Sequence, residues 1–140
     1  MSTKDRPNLN TEETPCETSV QRRVEETRRL GIERNPENLK TLESRTTDPS
    51  PQVRIMACRA LGWLRIGAAV PALSLSLRDP DSGVRSAAIS SLALCPEVSC
   101  GPELIAMIVN DPEDDVRAQA CRVTGWLKMQ TADDALLAAL

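Results

Sequence analysis

Apolar residues return at helical spacing along most of the chain, and the pattern itself repeats. Val53, Ala57, Leu61 and Leu64 lie three or four residues apart, a spacing that places side chains on one face of an α-helix. The same pattern returns twice, with the members Val84, Ala88, Leu92 and Cys95, and then Val116, Ala120, Thr124 and Leu127. The sequence therefore predicts three similar helices, each of which we call a helix B.

A shorter apolar segment follows each helix B, and we call it helix A. These segments are residues 71–77, 102–108 and 134–140. In the first of them, Leu73, Leu75 and Leu77 alternate with serine as they would in a strand. Its place in the repeat, opposite the helical pattern of residues 104–109, instead predicts a helix.

The first fifth of the chain differs from the rest. Residues 1–18 carry almost no apolar side chains, so they cannot offset the entropy of ordering and are predicted to form a disordered tail. Residues 19–30 predict a charged, weakly amphipathic helix, which stands one period before the helix B that begins near Val53. We interpret it as a degenerate helix B whose charges suit a capping unit. Asn35 and Pro36 predict the start of a second helix, because Asn caps helices and Pro favours their first position.

Each complete helix B is preceded by the box Asp-Pro-x-x-x-Val-Arg. The boxes begin at Asp48, Asp79 and Asp111, so the period is 31 and then 32 residues. A fixed period of this size is typical of stacked helical repeats. Each Asp stands where we expect a helix N-cap, with Pro at the next position.

The Arg of each box lies about 9 Å further along the helix axis than its Asp. In a stack of repeats this Arg is predicted to reach the Asp of an adjacent repeat. We call the resulting set the Asp–Arg ladder, and its members are Asp48, Arg54, Asp79, Arg85, Asp111 and Arg117. We interpret the ladder as a structural device that fixes register, since partly exposed ion pairs add only about 0–1 kcal/mol of stability.

The box and its two helices resemble the short HEAT-like repeat first associated with phycobilin lyase subunits. The resemblance covers residues 35–140 and rests on Asp48-Pro-Ser-Pro-Gln-Val-Arg54, Arg59-Ala-Leu-Gly62 and Ile66-Gly-Ala-Ala-Val-Pro-Ala-Leu73. It implies an all-α fold, a right-handed, armadillo-like α-solenoid of stacked antiparallel helix pairs with helices B along its concave face. The register places about three full repeats in residues 19–140, together with the degenerate N-terminal helix and an incomplete C-terminal repeat. Ankyrin and tetratricopeptide repeats have similar periods, but their Thr-Pro-Leu-His box and Trp/Tyr pattern are absent.

Composition narrows the class of protein. Phe and Tyr are absent, so the core must consist of aliphatic residues and Cys, which suits closely packed helices. The net charge of −3 gives no basic footprint, and we expect no nucleic-acid partner. We expect no membrane span either, because no apolar run approaches the roughly 18–20 residues that a span needs. Five Cys residues without a leading apolar segment predict reduced thiols and a cytoplasmic protein, with the nucleus as the alternative.

The absence of His removes most familiar catalytic arrangements. Ser-His and Cys-His nucleophile pairs and most catalytic zinc sites require it, so we expect no enzyme, cofactor or metal. Cys95 and Cys100 flank a predicted turn and would supply only half of a metal site. Cys58 and Cys121 occupy the same repeat position about 20 Å apart, taking about 10 Å between packed helices, which is too far for a disulfide. We interpret these thiols as small packing groups.

The face of helix B opposite its core side is the candidate binding surface. Arg59 and Arg122 each stand four residues before a Trp, so each guanidinium can lie over an indole ring. Trp and Arg are frequent anchors of protein interfaces. This predicts a concave patch for a protein or peptide partner, formed by Arg59, Trp63, Ser90, Leu94, Arg122 and Trp126. The alternative is that both Trp residues fill the aromatic-poor core between neighbouring helices.

The sequence favours a non-enzymatic scaffold or adaptor within a longer array of repeats. Leu136, Leu137 and Leu140 have no helix B after them, so we expect this C-terminal edge to meet further repeats or another chain. The alternative is a subunit of a bilin lyase or another HEAT-containing enzyme, because lyase chemistry leaves little local signature. The iron-dependent hydroxylase with HEAT-like repeats needs His-Glu metal pairs, which this chain lacks.

Overall fold

The described part of the chain is built from helices. The computed structural model describes the backbone of residues 15–95 and 101–139, and the side chains of residues 17–95 and 101–128. Its α-helices are α1 Pro15–Ile32, α2 Leu39–Arg45, α3 Pro51–Leu64, α4 Val70–Ser76, α5 Ser82–Leu92, α6 Gly101–Asn110 and α7 Asp114–Ala139. Short 3-10 turns at Pro36–Asn38 and Gly67–Ala69 lead into α2 and α4. None of the helices described is long and apolar enough to cross a membrane.

The helices form two sets that follow the predicted alternation of A and B. The B set is α1, α3, α5 and α7, and each member packs on the next. The A set is α2, α4 and α6, and each member packs mainly on the helix B that follows it. A structural repeat is therefore an A helix and the next B helix. The all-α stack of alternating A and B helices predicted from the sequence is therefore present in the described residues.

Leucines at the repeat period form the centre of the core. Leu42, Leu73 and Leu104 from the A set are fully buried, and so are Leu61 and Leu92 from the B set. Because the same position is filled by the same residue type in successive repeats, each A helix meets its B neighbours through similar aliphatic contacts. The expected aliphatic core is therefore present in the described repeats.

The helix A predicted at residues 134–140 is not a separate element, since residues 134–139 belong to α7, and in this respect the sequence prediction was wrong. In the complete repeat, α3 ends at a left-handed residue, Arg65, with φ of 52°, and Gly67 then starts the turn towards α4. The position that corresponds to Gly67 is Gln130, which lies within α7, and no Gly or Pro interrupts residues 126–139. Without these breakers the chain stays helical, and α7 runs without a break to Ala139.

The N-terminal helix begins earlier than the sequence indicated. Residues 1–14, most of the predicted disordered tail, lie outside the described residues. Residues 15–18, which the sequence places in that tail, belong to α1. Pro15 is the first residue of this helix and Glu17 lies in its first turn, where the helix dipole favours a negative charge. At Asn35, the predicted cap is confirmed, since its side chain accepts a hydrogen bond from the Glu37 amide.

Candidate functional site

Arginines on helices B bind carboxylates of the next repeat. In each pair, Nε donates to Oδ2 at 2.8–2.9 Å and Nη2 donates to Oδ1 at 3.1–3.2 Å. The pairs are Arg23 with Asp48, Arg54 with Asp79, and Arg85 with Asp111. Each contact runs from one helix B to the turn before the next, so the ladder joins α1 to α3, α3 to α5, and α5 to α7.

Each ladder Asp also shapes the turn in which it stands. The carboxylates of Asp48, Asp79 and Asp111 accept hydrogen bonds from the backbone amide two residues later, at 2.9–3.0 Å. Our assignment of these residues as helix N-caps was therefore wrong. The N-cap of α3 is Ser50, and that of α5 is Asp81, whose carboxylate accepts from the Val84 amide. The box Asp lies before the cap because its short side chain closes a local Asx turn instead.

The ladder arginines hold their own turns as well. Arg54 Nη1 donates to the carbonyl of Asp48 at 2.9 Å, and Arg85 Nη1 donates to that of Asp79 at 2.9 Å. One guanidinium thus binds the turn before its own helix and the turn before the next helix B. This double role explains why the box carries Arg at this position, since Lys lacks the planar fork that binds two groups in fixed geometry.

At both ends of the ladder, the Arg contacts differ from those predicted from the sequence. Arg23 was not identified, because no Asp-Pro box precedes α1, although the residue stands one period before Arg54. At the other end, Arg117 donates to the carbonyl of Asp111 at 2.6 Å and contacts the carboxylate of Asp114 in its own helix. In residues 17–95 and 101–128, no later turn supplies Arg117 with a carboxylate.

Two of the ladder carboxylates, those of Asp48 and Asp111, have lowered pKa values. Burial alone would raise the pKa of Asp48, but the Ser50 amide and the Arg23 guanidinium outweigh burial and lower it below its usual value. Burial would likewise raise the pKa of Asp111, and its hydrogen bonds with Arg85 and the Glu113 amide lower it. These groups are therefore held ionised, which suits a structural ion pair rather than proton transfer at neutral pH.

The structure brings together half of the predicted binding patch. Leu94, Arg122 and Trp126 line an open cavity of about 310 Å³ between α5 and α7, together with Ala93 and Val123. The indole of Trp126 is 45% exposed. We call this set of five residues the α5–α7 cavity.

Trp63 lies in a different environment from Trp126, although both occupy the same repeat position. Its ring is half-buried on α1, and its Cε3 lies 2.8 Å from the point that a Cβ of Gly31 would occupy. The register places Ala93 beneath Trp126 where Gly31 lies beneath Trp63. Trp63 lies on α3, which has a helix B on each side, whereas the structure describes no helix B after α7, which carries the more exposed Trp126. Trp63 thus fits the packing alternative, whereas Trp126 fits the binding hypothesis.

The remaining patch residues are dispersed. Arg59 is exposed and lines a separate cavity with Val24 and Ile55, between α1 and α3. Ser90 is exposed, but its hydroxyl accepts a hydrogen bond from the Gln119 side chain of α7. Gly62 of α3 is buried against Ser91 of α5.

The Cys residues also differ in their exposure to solvent. Cys58 and Cys95 are buried and Cys121 is exposed, while Cys100, the second half of the metal arrangement considered above, lies outside the described residues. Burial raises the pKa of Cys58, so its thiol stays protonated. Among the residues that the structure describes, no group of three or more Cys, Asp or Glu is placed to hold a metal ion.

Comparison with known proteins identifies the repeat. No curated protein matches the chain. A family model of HEAT repeats matches residues 23–98, which is more than half of the chain. The matched region begins at Arg23, the first ladder arginine, and includes α2 to α5. Repeats of this kind generally mediate protein–protein interactions. The resemblance stated from the sequence is therefore confirmed, and the chain belongs to the HEAT repeat family.

Proposed function

We propose that this protein is a non-enzymatic scaffold or adaptor that binds a protein or peptide partner at the α5–α7 cavity. The observation that supports the proposal best is the exposed indole of Trp126 beside an apolar recess. Exposed aromatic residues at the edge of apolar recesses are common anchors of protein interfaces. HEAT repeat domains are typically non-catalytic, which is consistent with this role.

The lining of the cavity indicates the chemistry of its ligand. Ala93, Leu94, Val123 and the Trp126 ring supply apolar surface, and Arg122 supplies the charged group. An aliphatic or aromatic side chain of the partner would be buried here, which stabilises a complex by about 1.5–3 kcal/mol. A carboxylate next to that side chain would pair with Arg122. We therefore expect a ligand with an apolar anchor beside an acidic residue.

Arg59 extends the proposed surface along the stack. It occupies the same repeat position as Arg122, two periods earlier, so both side chains project from the same side of the B set. Two repeats at about 10 Å each place these positions about 20 Å apart. An extended peptide of about six residues spans that distance. The proposed ligand is therefore an acidic segment whose carboxylates lie about six residues apart, one for each Arg.

Replacement of Trp126 tests the proposal. Partners that crosslink to the wild-type protein in its native cell extract should be recovered at least tenfold less with Trp126→Ala, since loss of an interface anchor costs about 2 kcal/mol or more. Arg122→Glu should have a similar effect because it reverses the charge at the cavity. Quantitative mass spectrometry of the crosslinked partners provides the measurement.

A matched control comes from Leu75, which is 72% exposed on α4, in the A set. Leu75→Ala removes a similar amount of exposed apolar surface from a different helix set and should leave recovery unchanged. Circular dichroism must show equal helix content for all variants. Equal recovery of every partner by wild type and Trp126→Ala would eliminate the cavity as the binding site.

A further inference from the structure

The outer side of α7 repeats the surfaces that earlier helices B bury against their successors. Thr27, Cys58 and Ile89 occupy one repeat position on α1, α3 and α5, and each is 0% exposed. Cys121 occupies the same position on α7 and is exposed. The position is thus covered wherever another helix B follows, and open where the structure describes none.

The glycines show the same difference. A Cβ on Gly31 would meet Cβ of Ala60 at 2.6 Å, and a Cβ on Gly62 would meet Cβ of Ser91 at 2.7 Å. Each of these glycines thus allows the next helix B to approach closely. Gly125 stands at the same repeat position, and nothing lies within 4 Å of the point that its Cβ would occupy. A Gly inside a helix lowers the stability of that helix by about 1 kcal/mol relative to Ala. Where no second helix packs against the Gly, no packing contact offsets this loss.

The charges of this surface identify what would fit it. Arg23, Arg54 and Arg85 each bind the Asp of the next turn, whereas Arg117 contacts Asp114 of its own helix. A covering element that continues the ladder would bring a carboxylate to Arg117, as the previous three interfaces do. The complement of this surface is therefore an acidic turn followed by a helix with small side chains.

We propose that Arg117, Cys121 and Gly125 form a docking surface for a HEAT-type repeat carried by a partner protein. The partner presents an Asp-containing turn to Arg117 and lays a helix across Cys121 and Gly125. This surface continues the interfaces between α1, α3, α5 and α7, and is separate from the α5–α7 cavity.

The start of a second copy does not supply the required surface. On α3, Ala60 meets Gly31 of the preceding repeat, and the buried Val53 and Ala57 share its helix face by spacing. The residues one period earlier, on α1, are Arg22, Glu26 and Arg29. Docking this charged side over Cys121 and Gly125 would desolvate all three charges. Head-to-tail assembly of identical chains is therefore unfavourable.

Residues 118–139 do not form this cover themselves. In the internal interfaces, the Asp that binds each Arg lies 25 or 26 residues later, after a turn and a returning helix A. After Arg117 the helix instead continues to Ala139, which carries the backbone about 33 Å away along its axis. The repeat that normally returns to cover the helix B is absent from residues 118–139.

A peptide taken from the chain itself provides the test. Residues 70–95 include α4, the Asp79 turn and α5, which together cover the equivalent surface of α3. A synthetic 70–95 peptide, carrying Cys95→Ser and a fluorophore, is titrated into the full chain while anisotropy is recorded. The reaction of Cys121 with a thiol reagent is followed by peptide mass spectrometry. We expect saturable binding and at least tenfold slower modification of Cys121.

Matched variants show whether binding occurs at the proposed surface. An Asp79→Asn peptide, and receptors carrying Arg117→Ala or Gly125→Arg, should each bind at least tenfold more weakly. Both receptor positions are exposed or partly exposed, so helix content measured by circular dichroism should not change. Undiminished binding to Gly125→Arg would mean that the peptide binds elsewhere, and would overturn the proposal.

A covalent version removes the effect of weak affinity. The same peptide is fused after Leu140 through a Gly/Ser linker of about 40 residues, whose average reach of about 35 Å matches the return distance to Arg117. Such a tether raises the effective concentration to about the millimolar range. If Cys121 reacts equally fast with and without the fused peptide, no such repeat docks here. A wild-type dimer that protects Cys121 and dissociates on Gly125→Arg would also overturn the proposal, since a second copy would then be the occupant.

Discussion

Arg85 is the most enclosed member of the ladder. Its side chain is 9% exposed, and that of its partner Asp111 is 3% exposed. Removing one member of a buried pair leaves the other charge desolvated without a partner, which costs about 3–5 kcal/mol. Arg117 has no such cost, because its carboxylate contact, Asp114, is 89% exposed.

These two arginines predict unequal losses of stability. Arg85→Ala should lower the free energy of unfolding by about 3 kcal/mol, whereas Arg117→Ala should lower it by less than about 1 kcal/mol. Urea denaturation at pH 7, followed by circular dichroism, measures both. Equal losses would show that the ladder is energetically uniform and that burial does not determine its strength.

The lowered pKa values of Asp48 and Asp111 add a dependence on pH. A carboxyl with a lower pKa in the folded state stabilises the fold above its unfolded pKa of about 3.9, and this contribution is lost as pH falls through the folded pKa. In the same urea series, wild type should therefore lose stability below about pH 4, and Arg85→Ala should lose less. The reverse order would contradict the pairing of Arg85 with Asp111.

At the scale of elements, glycine residues determine how closely neighbouring helices B approach each other. Gly62 lies directly against Ser91, so α3 and α5 approach more closely than any larger residue would allow. Gly lowers the intrinsic stability of a helix by about 1 kcal/mol relative to Ala. Close packing of α3 on α5 gives a physical reason for this Gly, and Gly125 is its unpacked equivalent.

The two glycines should consequently respond in opposite directions to the same replacement. Gly62→Ala should destabilise the protein by about 1–3 kcal/mol because the methyl group forces α3 and α5 apart. Gly125→Ala should stabilise it by up to about 1 kcal/mol through helix propensity alone. Thermal and urea unfolding of the two variants gives the comparison. Stabilisation by Gly62→Ala would show that the helices separate without cost.

At the scale of the whole molecule, each helix B is stabilised mainly by its immediate neighbours. In repeat proteins stability is approximately a sum of repeat and nearest-neighbour terms. α3 packs on both α1 and α5, whereas α7 packs on α5 and α6 and leaves Cys121 and Gly125 open. Local opening should therefore require less free energy in α7 than in α3.

Hydrogen exchange should reveal this gradient. Amides of α3 should exchange at least tenfold more slowly than those of residues 118–128 in α7, because α3 has helices B on both sides. Exchange detected by mass spectrometry on the monomeric protein measures the difference. Addition of the 70–95 peptide should slow exchange in α7 and leave α3 unchanged. Equal protection of both helices in the free protein would contradict nearest-neighbour stability.

Much of the fold was predictable because the repeat appears locally in the sequence. The spacing of Leu42, Leu73 and Leu104 marks one buried position in three successive A helices. The apolar face of each helix follows from the spacing of apolar residues within that helix. The break predicted between residues 127 and 134 was wrong, because alignment with the earlier repeats outweighed the local signal. The absence of Gly and Pro from residues 126–139 was the local signal for a continuous helix.

The candidate site was predictable only in part. Leu94, Arg122 and Trp126 line one cavity, as a shared helix face suggested. The difference in burial between Trp126 and Trp63 was not visible, because it depends on which helices B pack beside each ring. Periodicity within a helix carries no information about a neighbour about 30 residues away.

The sequence by itself determined the period, the alternation of A and B helices, the aliphatic core and the family, since each follows from local spacing or from the repeated box. Only the tertiary structure decided which Asp each Arg binds, that the box Asp closes a turn instead of capping a helix, and which side of α3 is covered. These properties depend on atoms brought together from successive repeats. The open surface on the outer side of α7 was also decided by the tertiary structure. Cys121 is exposed there, whereas Thr27, Cys58 and Ile89 at the same repeat position are buried by the next helix B.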